Sequence, residues 1–391
     1  MAQIVLSFPF DMSQPKSWIG QTLYSRLKIP QGGEFWVFEE GVLADDQDAV
    51  SRYDAATLTR VLEFGVNSVV YETDTFSSVE GSDNNVTAFK LYDDDVSVGA
   101  GGNLVSASIL FTDISMPKTE FMSYLQNGEQ AQLIRALLES DDFIIGSLGA
   151  DVVTGWEGND VLFGRAGNDA IYGDIGSDTM SGGEGNDRLY GDSGGVDTQT
   201  DIDYARYDMG DARVTSEDYT VTQQDDGWWV VSQVSGTQFR DDGRDFLSNV
   251  ERLVFSDVNV ALDIEGTSAV AYRLYKAAFD RIPDLGGLGF WVASMDIGVT
   301  GLEVAQGFIN SAEFLAMYGA DSSNADFVDR LYLNILDRPG ETAGRNYWIN
   351  ALDNGADRAA ILLDFSESVE NQANVEALIS NGIEYIPFVF A

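Results

Sequence analysis

The spacing of apolar and polar residues becomes strictly nine-fold between residues 146 and 190. Written from Gly146, the segment reads GSLGADVVT, GWEGNDVLF, GRAGNDAIY, GDIGSDTMS and GGEGNDRLY, with an apolar residue eighth, Asp sixth, and Gly first and fourth in every copy. A period of nine fits neither the 3.6-residue turn of a helix nor the alternation of a strand. The pattern predicts a short strand around each apolar residue and a glycine-rich turn before it. Two copies then form one coil of a flattened solenoid with a thin apolar core.

The sixth-position aspartates of this solenoid stack in alternate coils, with Asp151 over Asp169 and Asp160 over Asp178. Adjacent strands lie ~4.8 Å apart, and two carboxylates at that distance repel by roughly 3.5 kcal/mol at an effective dielectric of 20. One buried apolar side chain per copy contributes ~2 kcal/mol, whereas ordering nine residues costs on the order of 10 kcal/mol. The stack therefore needs a divalent cation between turns. Calcium accepts carboxylates and carbonyls in flexible geometry, whereas magnesium demands strict octahedral geometry. The first and fourth glycines are expected to supply the positive φ of the turn.

The segments on either side of the repeat predict β-structure. Between residues 1 and 139, "TRVLEFGVNSVVYET" and "LVSASILFTDIS" are rich in β-branched and aromatic residues, which favour strands. "KTEFMSYLQ" and "GEQAQLIRALLES" then have helical spacing. After the repeat, "DYTVTQQDDGWWVVSQV" predicts a hairpin that turns at Asp226-Gly227, and "FLSNVERLVFSDVNVALD" predicts further strands. No catalytic constellation is found in residues 1–139.

The C-terminal part is helical and duplicated. "LYKAAFDRIPDLGGLGFWV" at 274–292 recurs as "LYLNILDRPGETAGRNYWI" at 331–349, and the same offset of 57 relates Glu313 to Glu370. A repeat of this size predicts a duplicated module of short helices. Its repeated aromatic residues are expected in the helix core, with a sugar or partner platform as the alternative, and its repeated arginines are expected in structural salt bridges. These residues are Tyr275, Trp291, Tyr332, Trp348, Arg281 and Arg338.

Composition removes several classes of function. The 391 residues include 64 Asp and Glu against 22 Lys and Arg, a net charge of −42, so binding to nucleic acid or to an anionic membrane surface is not expected. The acidity has two compatible explanations: solvation in salty surroundings, and carboxylates that await cations. The chain has no Cys and no His, which excludes Ser-His-Asp triads and His-ligated zinc. Its N-terminus lacks the basic region of a secretory signal peptide, and no apolar run is long enough to predict a membrane span.

The nine-residue repeat resembles the RTX (repeats-in-toxin) calcium-binding nonapeptide. The resemblance implies a parallel β-roll that holds roughly three to five calcium ions in its turns. A weaker copy precedes the five and a degenerate copy follows them, one residue out of frame. The ligands implied are the sixth-position aspartates and residues of the turns. They are Asp142, Asp151, Asp160, Asp169, Asp178, Asp187, Asp197, Gly146, Gly155, Gly164, Gly173, Gly182, Asn159, Asn168 and Asn186.

This resemblance also implies a route and a location. RTX proteins leave Gram-negative cells unfolded by type I secretion, with an uncleaved C-terminal signal, and "EYIPFVFA" at the C-terminus is similar to such signals. The helical part is similar to a tandem helical domain of unassigned function at the C-termini of bacterial secreted, adhesin-like and surface-layer proteins. The chain is therefore expected outside the cell or at its surface.

The fold class predicted is multidomain β plus α: a parallel β-roll with calcium-binding nonapeptide turns, flanking β regions and a C-terminal all-α duplicated domain. The boundaries predicted are 1–139 for a β-rich domain ending in helices, 140–198 for the β-roll, 199–266 for a β region that caps it, and 267–391 for the helical domain. Within the helical domain the two copies span about 271–314 and 328–371.

A non-enzymatic role is expected, at the cell surface or in a matrix, in adhesion, a surface layer or a biofilm. The partner would be calcium, together with a surface or matrix polysaccharide or a second copy bound through the helical domain. The alternative is a secreted polysaccharide- or protein-degrading enzyme with a carboxylate-based site in residues 1–139. The absence of His and of the HExxH and GxSxG motifs argues against it. A pore-forming toxin is disfavoured because it would need a long apolar segment.

Overall fold

The chain is described from a computed structural model. It covers residues 130–146, 148–192, 201–208, 213–234 and 241–389, together with Glu120, Ser123 and the backbone of eight strands nearer the N-terminus. The described residues fall into two units. The first is drawn from Met1–Ala205 and Gly236–Asn249, and the second from Arg206–Ser235 and Val250–Ala391. The four-part division made from the sequence stays a prediction.

The first unit begins with an antiparallel sheet. Its strands are β1 (Gln3–Leu6), β2 (Val50–Asp54), β3 (Thr59–Phe64), β4 (Ser68–Thr73), β5 (Phe76–Glu80), β6 (Asn85–Leu91), β7 (Ile109–Thr112) and β8 (Met116–Pro117). The order is β2-β3-β4-β5-β6-β7-β1, and β8 pairs with β6. Strands β3, β4 and β7 lie in the two segments whose composition predicts strands. Helix α1 (Gln130–Leu137) lies where the second helical spacing predicts it, whereas "KTEFMSYLQ" falls largely outside the described residues.

The repeat folds into two stacks of parallel strands. The strands are β9 (Phe143–Ile145), β10 (Val152–Glu157), β11 (Val161–Ala166), β12 (Ala170–Ile175), β13 (Thr179–Glu184), β14 (Arg188–Tyr190), β15 (Tyr204–Arg206) and β18 (Arg244–Ser248). One stack runs β9-β11-β13-β15 and the other β10-β12-β14-β18. Within the repeat, paired residues are one coil of two nonapeptides apart, as in Val153 opposite Ile171. The predicted parallel β-roll is therefore confirmed.

The core of the roll is the single file of apolar residues that the period predicts. The eighth-position residues are at most 1% exposed: Val153, Leu162, Ile171, Met180 and Leu189, with Ile144 in phase before them. Ala205 in β15 and Leu247 in β18 continue this file at 0% exposure, although neither lies in a nonapeptide. The core is as thin as the sequence predicts, since each of these strands adds one buried apolar side chain.

The second unit holds a hairpin, a small sheet and the helices. Strands β16 (Tyr219–Gln223) and β17 (Trp229–Gln233) pair antiparallel, which confirms the predicted hairpin. Strands β19 (Arg252–Val254), β20 (Asn259–Ala261) and β21 (Ile383–Tyr385) form an antiparallel sheet in that order. Among the described residues, no helix has the length and apolar character needed to cross a membrane.

Eight helices lie in the C-terminal part that the structure describes. They are α2 (Thr267–Phe279), α3 (Leu285–Asp296), α4 (Gly301–Ile309), α5 (Ala312–Tyr318), α6 (Asn324–Leu336), α7 (Thr342–Asp353), α8 (Arg358–Ser366) and α9 (Val369–Ile379). Their apolar faces share one core. Trp291 and Trp348 are partly buried and pack against it, with the Trp291 ring 4.9 Å from that of Phe308. The contacts support the interpretation of these tryptophans as core residues.

The 57-residue offset seen in the sequence corresponds to repeated contacts. Arg281 binds Glu313 at 3.1 Å, and Arg338 binds Glu370 at 2.6 Å, which confirms the expected salt bridges. Each arginine also lies over the ring of the tyrosine six residues before it, at 5.1 Å in the first copy and 5.3 Å in the second. A cation over an aromatic face is attracted by the ring quadrupole. The same arrangement therefore joins the helices in both copies.

Candidate metal centre in the repeat turns

Two rows of aspartates run along the β-roll, one at the start of each strand stack. In every rung the backbone N–H of one aspartate donates to Oδ1 of the aspartate in the next coil. The N···Oδ1 distances are 2.7 Å for Asp142–Asp160 and Asp160–Asp178, 2.8 Å for Asp151–Asp169, Asp169–Asp187 and Asp178–Asp203, and 2.9 Å for Asp187–Asp245. The predicted stacking register is therefore observed. In each of these rungs the accepting carboxylate uses its Oδ1 for the amide, a hydrogen bond that the repulsion argument from the sequence did not include.

The second carboxylate oxygen has a different environment. Oδ2 of Asp160, Asp169, Asp178 and Asp187 is buried and makes no hydrogen bond. Burial of an unpartnered charged oxygen is strongly unfavourable. Burial accordingly raises the pKa of Asp160 to about 8, with the charge of Asp178 as the next cause. Burial also raises the pKa of Asp169 and of Asp178 to about 7, and that of Asp187 to about 6.

The first glycine of each repeat leaves room beside this oxygen. A Cβ on Gly155 would lie 2.2 Å from Oδ2 of Asp160 and 2.7 Å from the carbonyl oxygen of Gly173. A Cβ on Gly164 would lie 2.3 Å from Oδ2 of Asp169 and 2.6 Å from the carbonyl oxygen of Gly182. A carboxylate oxygen from one coil and a carbonyl oxygen from the next therefore converge on the same small space. A Cβ on Gly173 or Gly182 would lie 2.3 Å or 2.1 Å from Oδ2 of the aspartate in its own turn, and one on Gly146 would lie 2.5 Å from the carbonyl oxygen of Gly164.

The positive φ of the turn lies at the second and fourth positions, not the first and fourth. Gly158 at the fourth position has φ +141°, whereas the second position holds Trp156 at φ +71°, Arg165 at φ +84° and Asp174 at φ +71°. The first-position glycines are absent from the positive-φ residues. Space beside Asp Oδ2, rather than backbone conformation, therefore explains the glycine at the first position.

The fifth-position asparagines link coils at the surface of the turn. Oδ1 of Asn159 accepts the N–H of Ser177 at 2.9 Å, Oδ1 of Asn168 accepts that of Asn186 at 2.9 Å, and Oδ1 of Asn186 accepts that of Arg244 at 3.0 Å. All three asparagines are exposed. These bonds give them a structural role, and their assignment as metal ligands stays a prediction.

The rows of aspartates end at residues that the sequence analysis missed. Asp197, predicted from the degenerate copy, lies outside the described residues. Asp203 and Asp245 occupy the last rungs instead. Each stands two residues before a fully buried apolar residue, Ala205 or Leu247, as the aspartate of every nonapeptide does. This Asp-x-apolar triplet was the signal available in the sequence.

The donor set of the turns fits a hard divalent cation. In the described part of the chain, no three Asp or Glu side chains form a metal-binding group. The spaces at Gly155 and Gly164 instead combine a carboxylate oxygen with a backbone carbonyl oxygen. Calcium accepts both kinds of oxygen at 2.3–2.6 Å in flexible geometry. A positive ion there would offset the charge of the buried Oδ2 oxygens.

Comparison with known families agrees with this geometry. The model of the RTX calcium-binding nonapeptide repeat matches residues 138–171 and 163–195. The chain thus carries calcium-binding RTX repeats, which confirms the resemblance seen in the sequence. A domain of unknown function, DUF4214, matches residues 266–318 and 305–375 and is the unassigned helical domain.

Two solved structures are similar to part of the chain. The AlgE6R3 subunit of the Azotobacter vinelandii mannuronan C5-epimerase is 23% identical, with 28% of this chain and 71% of that chain covered and a TM-score of 0.13. The extracellular lipase LipA from Serratia marcescens is 20% identical, with 31% of this chain covered and a TM-score of 0.14. This chain spans only 17% of the lipase. No curated protein matches the chain.

Proposed function

We propose that this protein is an extracellular calcium-dependent scaffold whose β-roll folds when calcium enters its turns. One observation carries the proposal: Oδ2 of Asp160, Asp169, Asp178 and Asp187 is buried without a hydrogen-bond partner. A glycine leaves space beside each of these oxygens. Oδ2 of these aspartates and the carbonyl oxygens of the first-position glycines would hold the ions, roughly three to five in the whole roll.

The free energy of binding would supply the stability that the thin core lacks. A ligand at tenfold its Kd that binds only the folded state adds about 1.4 kcal/mol. Four such ions together match the lower end of a small domain's whole stability. The ions also reduce repulsion in a chain of net charge −42.

This dependence on calcium supports export in the unfolded state. Calcium is scarce in the cytosol and abundant outside the cell, so the roll would stay open before export and close afterwards. Type I secretion by a Gram-negative bacterium fits this order of events, with residues near the C-terminus as the signal. The protein would then act outside the cell or at its surface.

The role that we propose there is non-enzymatic, in adhesion, a surface layer or a biofilm matrix. Calcium would be one partner, and a polysaccharide or a second copy bound through the helical domain would be the other. The alternative is a secreted enzyme with carboxylates of residues 1–139 at its active site. Turnover of a polysaccharide or peptide substrate, abolished by carboxylate substitutions in that segment, would favour the alternative.

Calcium titration of the chelated full chain tests the proposal. Circular dichroism is expected to show a gain of β-structure on addition of calcium, whereas magnesium at the same concentration produces little change because its octahedral geometry is strict. The substitution Asp160→Asn keeps the Oδ1 acceptor and removes the charge, and it is expected to weaken the response. A roll that is fully folded in chelator would overturn the proposal.

A further inference from the structure

Two strands continue the β-roll after the nonapeptides have ended. The match to the RTX repeat stops at residue 195, yet β15 pairs with β13 and β18 pairs with β14 in the same parallel direction. The chain reaches β15 through a step of 25 residues from Asp178 to Asp203, and β18 through a step of 58 residues from Asp187 to Asp245. Residues distant in sequence therefore form the last layer of each stack.

Asp203 has the contacts of a sixth-position aspartate. Its Oδ1 accepts the N–H of Asp178 at 2.8 Å, and the carbonyl of Asp178 accepts the N–H of Tyr204 at 2.8 Å. A Cβ on Gly191 would lie 2.2 Å from Oδ2 of Asp203 and 1.7 Å from the carbonyl oxygen of Asn249. The corresponding distances at Gly155 in the repeat are 2.2 Å to a carboxylate and 2.7 Å to a carbonyl. A carboxylate oxygen and a carbonyl oxygen therefore converge beside Gly191, as they do beside Gly155.

Asp245 has the equivalent place in the other stack. Its Oδ1 accepts the N–H of Asp187 at 2.9 Å, and the carbonyl of Asp187 accepts the N–H of Phe246 at 2.9 Å. Asp203 and Asp245 are 1% and 2% exposed, as deeply buried as the aspartates of the nonapeptides.

The aspartates in the layer beneath Asp203 and Asp245 each have a carboxylate oxygen that can still bind a cation. Asp178 and Asp187 are each 0% exposed, and the Oδ2 oxygen of each is buried with no hydrogen-bond partner. The turn of Asp178 is stacked under that of Asp203, and the turn of Asp187 under that of Asp245. A cation between these layers would contact a carboxylate from the last nonapeptides and a carbonyl or carboxylate from the layer above.

We infer that Asp203 and Asp245 complete two terminal divalent-cation sites that lie outside the nonapeptide sequence, Asp203 together with Asp178, and Asp245 together with Asp187. The inference rests on the proposed calcium binding and extends it to residues that lie outside the nine-residue period. Calcium bound there fixes the segments around residues 203 and 245 to the end of the roll. The terminal layer thus closes only when the ion is bound.

Calcium binding by the full chain tests the inference. The variants are Asp203→Asn and Asp245→Asn, which keep the Oδ1 acceptor for the amide below. Asp160→Asn is the reference within the nonapeptides, and Asp321→Asn is the charge-matched control, since Asp321 is exposed in a loop of the second unit. Calorimetric titration of chelated protein gives the number of ions, and melting is measured with saturating calcium and with chelator.

Asp203→Asn and Asp245→Asn are each expected to bind one ion fewer, or to bind one at least tenfold more weakly. Each should also lower the melting temperature in calcium but not in chelator. Unchanged titrations in both, with an ion lost in Asp160→Asn, would overturn this inference alone. A lower melting temperature in calcium with an unchanged number of bound ions would also overturn it, since the role would then be structural. An unchanged titration in Asp160→Asn would instead overturn the proposed function.

Discussion

Four aspartates of the repeat, Asp160, Asp169, Asp178 and Asp187, use their two carboxylate oxygens differently. Oδ1 of Asp169 accepts the N–H of Asp151, while Oδ2 of Asp169 is buried and has no hydrogen-bond partner. An asparagine could accept the same N–H through its own Oδ1. The hydrogen-bond ladder alone therefore gives no reason for a charged residue at the sixth position. The buried Oδ2 gives that reason, because burial of this oxygen is favourable only when it binds a cation or carries a proton.

The choice between proton and cation leads to a prediction on pH. The pKa of Asp160 is raised from 3.8 to about 8 in the fold, chiefly by burial. Because the pKa of Asp160 is higher in the fold, its protonated carboxyl contributes stability that is complete below the unfolded pKa of about 4. This contribution is lost as the pH rises through the folded pKa. Without calcium, unfolding by urea should therefore show falling stability between pH 4 and pH 8. With saturating calcium the ion replaces the proton, so stability should be retained up to pH 8.

The substitution Asp160→Asn isolates this residue from the other carboxylates. In chelator, the variant should gain stability relative to the wild type as the pH rises from 4 to 8, since asparagine has no proton to lose. A difference in unfolding free energy that does not change with pH would contradict the raised pKa.

Left-handed backbone at the second position of the turn leads to another prediction. Arg165 is exposed and has φ +84°, a region where a residue with a Cβ is strained by roughly 1–2 kcal/mol. Glycine has no such strain. Arg165→Gly should therefore be more stable than Arg165→Ala by about 1 kcal/mol. Calcium-saturated thermal melts compare the two, and both lack the guanidinium that lies 3.4 Å from the carbonyl oxygen of Gly146. Equal melting temperatures would show that the turn relaxes without strain.

At the scale of elements, the two helical copies differ in the cap of their second helix. Asp284 is the N-cap of α3, and its side chain accepts the N–H of Gly287 at 2.7 Å. Glu341 is the N-cap of α7, and its side chain makes no such hydrogen bond. Loss of an N-cap bond costs about 1 kcal/mol, so the second copy has the weaker start.

Exchanging the two caps tests this difference. Glu341→Asp should stabilise the second unit by about 0.5–1 kcal/mol, because the shorter side chain can reach the free N–H groups of α7. Asp284→Glu is the reciprocal change and should destabilise it by a similar amount. Unfolding by urea followed at 222 nm measures both. A loss of stability in Glu341→Asp would instead assign the larger share to the Glu341–Arg338 pair at 2.9 Å.

The sequence predicts the roll well because each of its contacts repeats at a fixed distance along the chain. One coil equals two nonapeptides, so the register of Asp151 with Asp169 follows from counting. Asp203 and Asp245 could not be found in this way, because their partners lie 25 and 58 residues before them. Which loop returns to close the stack depends on tertiary packing, and the period carries no information about it.

The turn itself was only partly predictable. Glycine at the first position was attributed to backbone conformation, whereas Gly155 makes room beside Oδ2 of Asp160. A sequence shows that glycine is required but not which of its two properties is used. The helical duplication predicted salt bridges for Arg281 and Arg338, but it did not identify Glu313 and Glu370 as their partners.

At the scale of the whole molecule, the two units depend on different sources of stability. The core of the roll is a single file of side chains such as Leu162 and Ile171, whereas the helices of the second unit share a broad apolar core. Arg252 in that unit is fully buried and binds Asp263 and Asp296, both at 2.7 Å. The ion pairs of Arg252 join side chains of the second unit, so they need no metal ion.

Removal of calcium should therefore open the roll and leave the helices folded. Hydrogen exchange measured by mass spectrometry should show amides of residues 142–190 losing protection in chelator, whereas those of α2, α6 and α8 keep it. Arg252→Met is the comparison variant for the second unit. It leaves the largely buried carboxylates of Asp263 and Asp296 without their cation, which costs about 3 kcal/mol. Its helices should exchange faster at every calcium concentration. If the helices of the wild type also lost protection in chelator, calcium would stabilise the second unit as well. The thin core of the roll would then not be the reason for the dependence on calcium.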